Sequence, residues 1–322
     1  MTKLLTGIIV ILALVLVGVI LYPQLQENRP QHLRFATDSS VAALPFIVAV
    51  QETLFEKNRI EPELVFYSDP EKALDNLFSG NIEVGIFPWS TVFKRIATKG
   101  ETLKVFMAVE FRPTLPVEAV VKPKKGKIKT INDLKGKRLG YPLVLHDYLP
   151  LFFLGTNLNR ENIKLFEAPL TTLPSRLASG EFDAVWIFEP FIAQLDFTKF
   201  DTLTSGLTTK YITSPFPAYA VGFSPQFLKK TTKTQRTRLK IALDAAVDRI
   251  DAHPAEAKKN LSRFFFSNDT TAAKSHLPQF QKIAEINKPG IQTLTNRMLT
   301  AGVLPESVDT RGIFAPPSQL MR

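Results

Sequence analysis

Few side chains in this 322-residue sequence are equipped for bond chemistry, and their types exclude more than they allow. There is no cysteine. That removes a thiolate nucleophile, a Cys-ligated zinc or iron–sulfur site, a disulfide scaffold and a lipid-modified N-terminal cysteine. The four histidines (His32, His146, His253, His276) are scattered, and no His-Glu-x-x-His pair exists. There is no Gly-x-Ser-x-Gly elbow, no Gly-x-Gly-x-x-Gly turn and no phosphate loop; Gly136-Lys137 lacks the upstream glycine and the following hydroxyl. The expectation is no catalytic residue, no metal and no cofactor.

What remains is a set of carboxylates, hydroxyls and rings where apolar runs end. Asp38, Ser39 and Ser40 follow the first run, Tyr67 the second, and Pro88, Trp89 and Ser90 the third. Leu143, Val144 and His146 come next, then Trp186 and Glu189, then Tyr219. Such groups hold a small solute by hydrogen bonds and ring contact. Each has a plainer reading too: Asp38 to Ser40 as a helix cap, Trp89 as core packing, His146 as a cap residue, Glu189-Pro190 as a helix start.

The elements that must position these residues alternate. Strands are expected at His32–Thr37, Glu63–Tyr67 and Ile82–Phe87, with helices at Val41–Glu56, from Pro70 to Ser79, and from a Ser90 cap to Lys99. Strands alternating with helices of this length indicate an α/β sheet. An echo follows 100 residues later: Leu77-Phe-Ser-Gly-Asn-Ile-Glu-Val-Gly85 is answered by Leu177-Ala-Ser-Gly-Glu-Phe-Asp-Ala-Val185. Each copy reads as a helix end, a glycine stop, an acid and a buried strand. Two similar lobes are expected, one from residues 32–121 and 217–322, the other from 122–216. Strands at Glu118–Val121 and Ala218–Phe223 would join them. From Pro225 the chain reads as helical, with helices at Thr231–Ala252, Ala255–Phe266, Thr270–Ile286 and Gly290–Ala301. A chain that crosses twice leaves a cleft between its lobes, a favoured place for small ligands.

The N-terminus carries an uncharged, almost wholly aliphatic stretch from Leu4 to Leu21. Eighteen helical residues span about 27 Å, close to a hydrocarbon core. The stretch ends in Ile20-Leu21-Tyr22-Pro23-Gln24 without a small-x-small cleavage site, which favours a signal-anchor at 1–22 over a cleaved signal peptide. Lys3 keeps the N-terminus cytoplasmic. Residues 23–31 then form a linker, and everything after Tyr22 is extracytoplasmic. The net charge of +10 leaves nucleic acid, anionic membrane or anionic ligand open by itself. An exported domain would not meet nucleic acid. The basic stretches Lys122–Lys129 and Lys229–Lys240 read as solvated faces, with contact to anionic lipid the lesser reading.

Several segments together resemble one family. Phe55-Glu-Lys-Asn-Arg-Ile60-Glu-Pro-Glu-Leu64 after an apolar helix, the two echo segments, Ile131-Asn-Asp-Leu-Lys-Gly-Lys-Arg-Leu-Gly140 and Glu189-Pro190 are similar to the nitrate/sulfonate/taurine/thiamine-precursor (NMT1/THI5-like, SsuA-like) branch of ABC-transporter substrate-binding proteins. The resemblance runs from about Leu33 to Ala301. It implies a type II periplasmic-binding-protein fold that closes on a small solute and delivers it to an ABC permease and its ATPase, as a monomer. An extracytoplasmic sensor or scaffold of the same fold is the alternative. A thiamine-pyrimidine synthase is weaker, because that enzyme branch uses a Cys-rich motif. In some relatives the Glu-Pro carboxylate faces the solute. Relatives also carry hydroxyls in a Gly-x-x-Ser/Thr turn that holds an anionic head group. Here that turn reads Gly140-Tyr-Pro-Leu-Val-Leu-His146, with no hydroxyl from 142 to 146. The solute expected is therefore small, organic and partly apolar or aromatic, with Asp38 or Glu189 accepting a hydrogen bond from its polar end.

Overall fold

The computed structural model describes residues 6–7, 11–12, 14–19, 29–265 and 268–320. Within the expected anchor at 1–22, the described residues are helical; the rest of it, and residues 23–28 of the expected linker, lie outside the described residues. Among the described residues no helix is long and apolar enough to cross a membrane.

The first lobe opens with β1 (Gln31–Thr37), a short turn capped by Ser40, α1 (Leu44–Gln51) and α2 (Leu54–Lys57). One helix over Val41–Glu56 is thus divided. The division falls at Thr53, whose φ of 54° is a left-handed value that β-branched residues seldom adopt. β2 (Ile60–Phe66) and α3 (Pro70–Ser79) follow. Asp69 caps α3 through the Glu71 and Lys72 amides, and Gly80 ends it at φ 81°. β3 (Val84–Pro88), α4 (Trp89–Lys99) and β4 (Lys104–Phe111) complete this stretch.

The second lobe contains β5 (Glu118–Pro123), β6 (Arg138–Tyr141), a 3-10 turn at Leu143–Tyr148 leading into α5 (Leu149–Leu154), and β7 (Lys164–Glu167). After these come α6 (Leu173–Ala178), β8 (Ala184–Phe188) and β9 (Phe200–Ser205). β10 (Phe216–Phe223) returns to the first sheet. Then follow α7 (Pro225–Lys230), α8 (Lys233–Ala252), α9 (Pro254–Phe265), α10 (Asp269–Lys274), β11 (Gln279–Lys282) and α11 (Lys288–Thr300). The helix expected over Thr270–Ile286 stops at Lys274. Pro278 cannot continue a helix, and the next residues add an edge strand to β4, with Phe280 buried.

Both sheets follow one plan. The first has strand order β11-β4-β10-β3-β1-β2 and the second β7-β6-β8-β5-β9. Each has a parallel trio, β2-β1-β3 or β7-β6-β8, extended by an antiparallel strand from elsewhere in the chain. β10, which follows the second lobe in the chain, pairs with β3; β5, which opens the second lobe, pairs with β8. The sequence alone ends the first lobe at residue 121, but β5 pairs with β8 and β9, so Glu118 to Val121 belong to the second sheet. A fully buried strand has no pattern that says which sheet takes it.

The 100-residue echo has a structural counterpart. The Arg34 guanidinium binds the Glu83 carboxylate at 2.7 Å and the Gly80 carbonyl at 2.9 Å. Arg138 does the same with Asp183 at 2.9 Å and the Gly180 carbonyl at 3.0 Å. In both lobes the acid also accepts the arginine's own amide. A bidentate fork thus fastens the end of a helix to the start of the central strand.

Candidate ligand-binding site

In parallel sheets, ligands gather beyond the carboxyl ends of the strands. β1, β2 and β3 end at Thr37, Phe66 and Pro88; β6, β7 and β8 end at Tyr141, Glu167 and Phe188. A cavity of about 210 Å³ lies between the two sets of ends. The first lobe contributes Asp38, Ser39, Tyr67 and Ser68 to its wall, and the second contributes Leu143, Val144, Glu167 and the segment 168–171. A recess of about 30 Å³ adjoins it, where Pro88 and Tyr219 meet Asp38 and Val144. Of the expected site residues, seven therefore converge: Asp38, Ser39, Tyr67, Leu143 and Val144 on the cavity, Pro88 and Tyr219 on the recess.

Asp38 is held in place before any ligand arrives. Its Oδ1 accepts the Ser40 amide at 2.9 Å and the Ser40 hydroxyl at 2.7 Å. Ser40 itself is buried and accepts the Ala42 amide at 3.2 Å, so it faces the chain and not the cavity. Burial pushes the Asp38 carboxyl up, and hydrogen bonds from Ser40 and the Tyr219 hydroxyl partly offset this. On the facing wall, Glu167 Oε1 accepts the Tyr141 hydroxyl at 2.9 Å and the His146 Nδ1–H. The carboxylate can only accept, which assigns the proton to the ring nitrogen. His146 is thus a support for the wall residue Glu167; it does not itself line the cavity. Burial, and then the hydrogen bond to and charge of Glu167, push the Tyr141 hydroxyl well above its ordinary range, so it stays a donor.

The four other expected site residues stand elsewhere, for packing reasons. Trp89 is fully buried, stacked on Phe93 at 5.3 Å and near Phe314 at 6.3 Å. Trp186 is fully buried against Phe152, its Nε1–H donating to Glu118, which also accepts the Thr208 amide and hydroxyl at 2.7 Å each. β3 and β8 are interior strands covered on both faces, so the ring just past β3 and the ring in the middle of β8 both turn into a core. Ser90 is buried in the first turn of α4 and does not cap it. Glu189 is buried at the lobe junction. Its Oε2 accepts the Ala193 amide at 3.1 Å and its Oε1 the His276 amide at 3.4 Å, while its backbone carbonyl accepts the Val41 amide at 3.0 Å. Burial raises its carboxyl to about 7, against those amides. It joins the lobes and does not line the cavity.

Glu167, Tyr141 and the 168–171 segment escape a reading of the sequence, whereas Ser68 follows the second strand beside Tyr67 as the sequence places it. β7 is a short edge strand that the apolar pattern does not announce. The 100-residue offset that relates β3 to β8 also relates Tyr67 to Glu167, and carrying the echo to that pair would have exposed them.

The sequence profile of the family described as "NMT1/THI5 like" matches residues 41–257, which include Tyr67 and Ser68 of the first-lobe wall, the whole second-lobe wall and Glu189, while Asp38 and Ser39 precede it. This chain belongs to that family. A protein of Haemophilus influenzae named "Putative thiamine biosynthesis protein" is 26% identical over 215 residues, and the match spans 66% of each chain. The alkanesulfonate-binding protein SsuA of Xanthomonas axonopodis pv. citri, solved with MOPS, shares the fold with a TM-score of 0.69 at 18% identity, covering 86% of this chain and 96% of that one. The nitrate-binding protein NrtA of Synechocystis PCC 6803 does so with a TM-score of 0.68 at 13% identity, covering 89% and 86%. The architecture of this NMT1/THI5-like chain is the two-lobe periplasmic binding-protein fold.

Proposed function

We propose that this NMT1/THI5-like chain is a membrane-tethered, extracytoplasmic solute-binding protein with no chemistry of its own. It captures a small organic solute between its lobes and hands it to the permease of an ABC importer. The observation that carries this reading is the cavity walled by both sheets at the ends of both parallel trios. A solute touching both walls favours the closed arrangement by its differential affinity for it, and closure is what a permease can sense. The apolar Leu4–Leu21 stretch supports the tether. The binding proteins of the same fold support the importer.

The test is to purify the full-length chain in mild detergent, identify co-purified small molecules by mass spectrometry, and add them back to the stripped protein. The expected result is a saturable compound that makes the protein more compact in small-angle scattering. A chain that binds nothing and never compacts overturns the proposal. The name of the Haemophilus relative supports a narrower reading, in which the solute is a thiamine-pathway compound. Mass spectrometry separates the two directly.

A further inference from the structure

The chain carries 40 lysines and arginines and a net charge of +10, yet among the described residues no lysine or arginine lines the cleft cavity. The charged groups that do are two carboxylates, Asp38 on the first lobe and Glu167 on the second. The other polar groups there are hydroxyls, on Ser39, Tyr67, Ser68 and Thr171, and the rest of the wall is apolar. A basic protein that keeps its basic residues out of the cleft presents a field opposite in sign to its surface.

The two carboxylates are also prepared in the same manner. Ser40 takes Oδ1 of Asp38 through two donors, at 2.9 Å and 2.7 Å. Tyr141 and His146 both take Oε1 of Glu167, and among the described residues none donates to its Oε2. Tyr219 also donates to the Asp38 carboxylate; such bonds set the plane of each carboxylate, and Glu167 Oε2 is left for a ligand donor. The hydroxyls of Ser40 and Tyr141 and the Ser40 amide orient the charge without cancelling it. A carboxylate drawn out of water with no cation beside it is costly, and burial accordingly pushes Asp38 up. A cation entering the cleft removes that cost; an anion adds to it. Among the described residues the lining has hydroxyl donors but no cationic side chain to balance the charge of a sulfonate or a nitrate.

Resting on the solute-binding reading above, we propose that the solute is a small organic cation, an ammonium or amidinium group on an apolar body, held between Asp38 and Glu167. This is the opposite charge to the ligands named for the alkanesulfonate- and nitrate-binding proteins of the same fold. Asp38 and Glu167 receive the charged donors, Leu143 and Val144 meet the apolar body, and Tyr141 with His146 act as positioning residues for Glu167.

The experiment is calorimetry of the stripped full-length chain in neutral detergent with probes of one length: butylamine, 1,4-diaminobutane, butan-1-ol and butane-1-sulfonate. Both amines, charged at neutral pH, are expected to bind more tightly than the alcohol, and the sulfonate most weakly. Glu167→Gln keeps an Oε1 acceptor for Tyr141 and His146 but removes the charge. It is expected to weaken amine binding by about tenfold or more while leaving thermal unfolding of the free chain unchanged. Asp38→Asn is the second variant and is expected to weaken the same probes. Sulfonate binding as tight as amine binding overturns the inference and leaves the solute-binding reading standing. So does amine binding that neither variant weakens. Binding of no probe of either sign removes the solute-binding reading and this inference with it.

Discussion

The Ser90 amide donates to the Tyr148 hydroxyl across 3.0 Å, so a side chain of the second lobe caps a helix of the first. α4 has no side-chain cap of its own, because the residue before it is Pro88. One turn further on, Lys94 pairs with Asp147 at 3.0 Å, again across the lobes. The Tyr148 ring meets Phe216 edge-on at 5.0 Å, where β10 re-enters the first sheet. On the other side of the junction, the Val41 amide reaches the Glu189 carbonyl. Protein groups therefore already bridge the lobes on both flanks of the cavity.

Tyr148→Phe retains the ring against Phe216 and leaves the buried Ser90 amide without its acceptor. Losing one partner of a buried hydrogen bond costs about 1–3 kcal/mol. A corresponding fall in the urea midpoint is expected, with unchanged slope. An unchanged midpoint would mean that the amide finds another acceptor, and the interlobe cap would lose its energetic importance.

Glu189 sets a pH dependence whose sign follows from its environment. Its carboxyl is raised to about 7 in the folded chain, above the ordinary carboxylate value that the unfolded chain has. Its contribution is fully present below that ordinary value and is lost as pH rises through about 7. The loss amounts to about 3 kcal/mol across this window. Asp38 and Glu118 are raised by burial as well and act in the same direction, so the Glu189 share is read by difference. Glu189→Gln should flatten the stability–pH curve between about pH 4.5 and 7. Parallel curves for the two proteins would contradict the assignment.

Trp89 and Tyr67 should separate stability from binding. Trp89→Ala empties a fully buried site beside Phe93 and is expected to cost about 3–5 kcal/mol. Solute affinity at a temperature where the variant is folded should stay near that of the parent. Tyr67→Ala, on the cavity wall and only partly buried, should lower affinity with the smaller loss of stability. Solute titrations paired with thermal melts distinguish the two patterns; the reverse pattern would restore Trp89 as a ligand wall.

Gly140→Ala would place a Cβ 2.4 Å from the Phe182 ring, and Gly85→Ala would meet the Phe87 ring at the same distance. Overpacking of this kind costs about 1–3 kcal/mol. Calorimetric melts should show both variants destabilised, and Phe182→Leu should partly rescue Gly140→Ala. A Gly140→Ala variant as stable as the parent would show that the ring moves freely.

Much of the fold is legible in the residues. Asp69-Pro70 and Gly80 bracket a helix because a capping carboxylate, a proline at the first position and a glycine stop act within a few residues of themselves. Thr232 and Ala252 bound the longest helix for similar local reasons. The echo at Leu77 and Leu177 foretells two lobes, since each copy needs its own strand to pack on. The candidate site was legible only at its chain positions. Asp38, Tyr67, Leu143 and Val144 were recognisable as residues following strands, whereas Glu167 ends an edge strand too short to show a period.

The sequence by itself determined the alternating α/β elements, the two-lobe repeat, the lack of cysteine chemistry and the apolar N-terminal stretch, because composition, capping and periodicity operate locally. The tertiary structure alone decided which strand ends meet. Trp89 and Trp186 looked like ligand walls by rarity and position, yet β3 and β8 lie inside their sheets and their rings are drawn into cores. Glu189 moved to the junction for a similar reason, claimed by the amides of Ala193 and His276. Asp38 and Glu167 are 129 residues apart in the chain and share a cavity only because two sheets built on one plan face each other. The direction a side chain takes at the end of a strand depends on what covers that strand, and the covering comes from residues far away in the sequence.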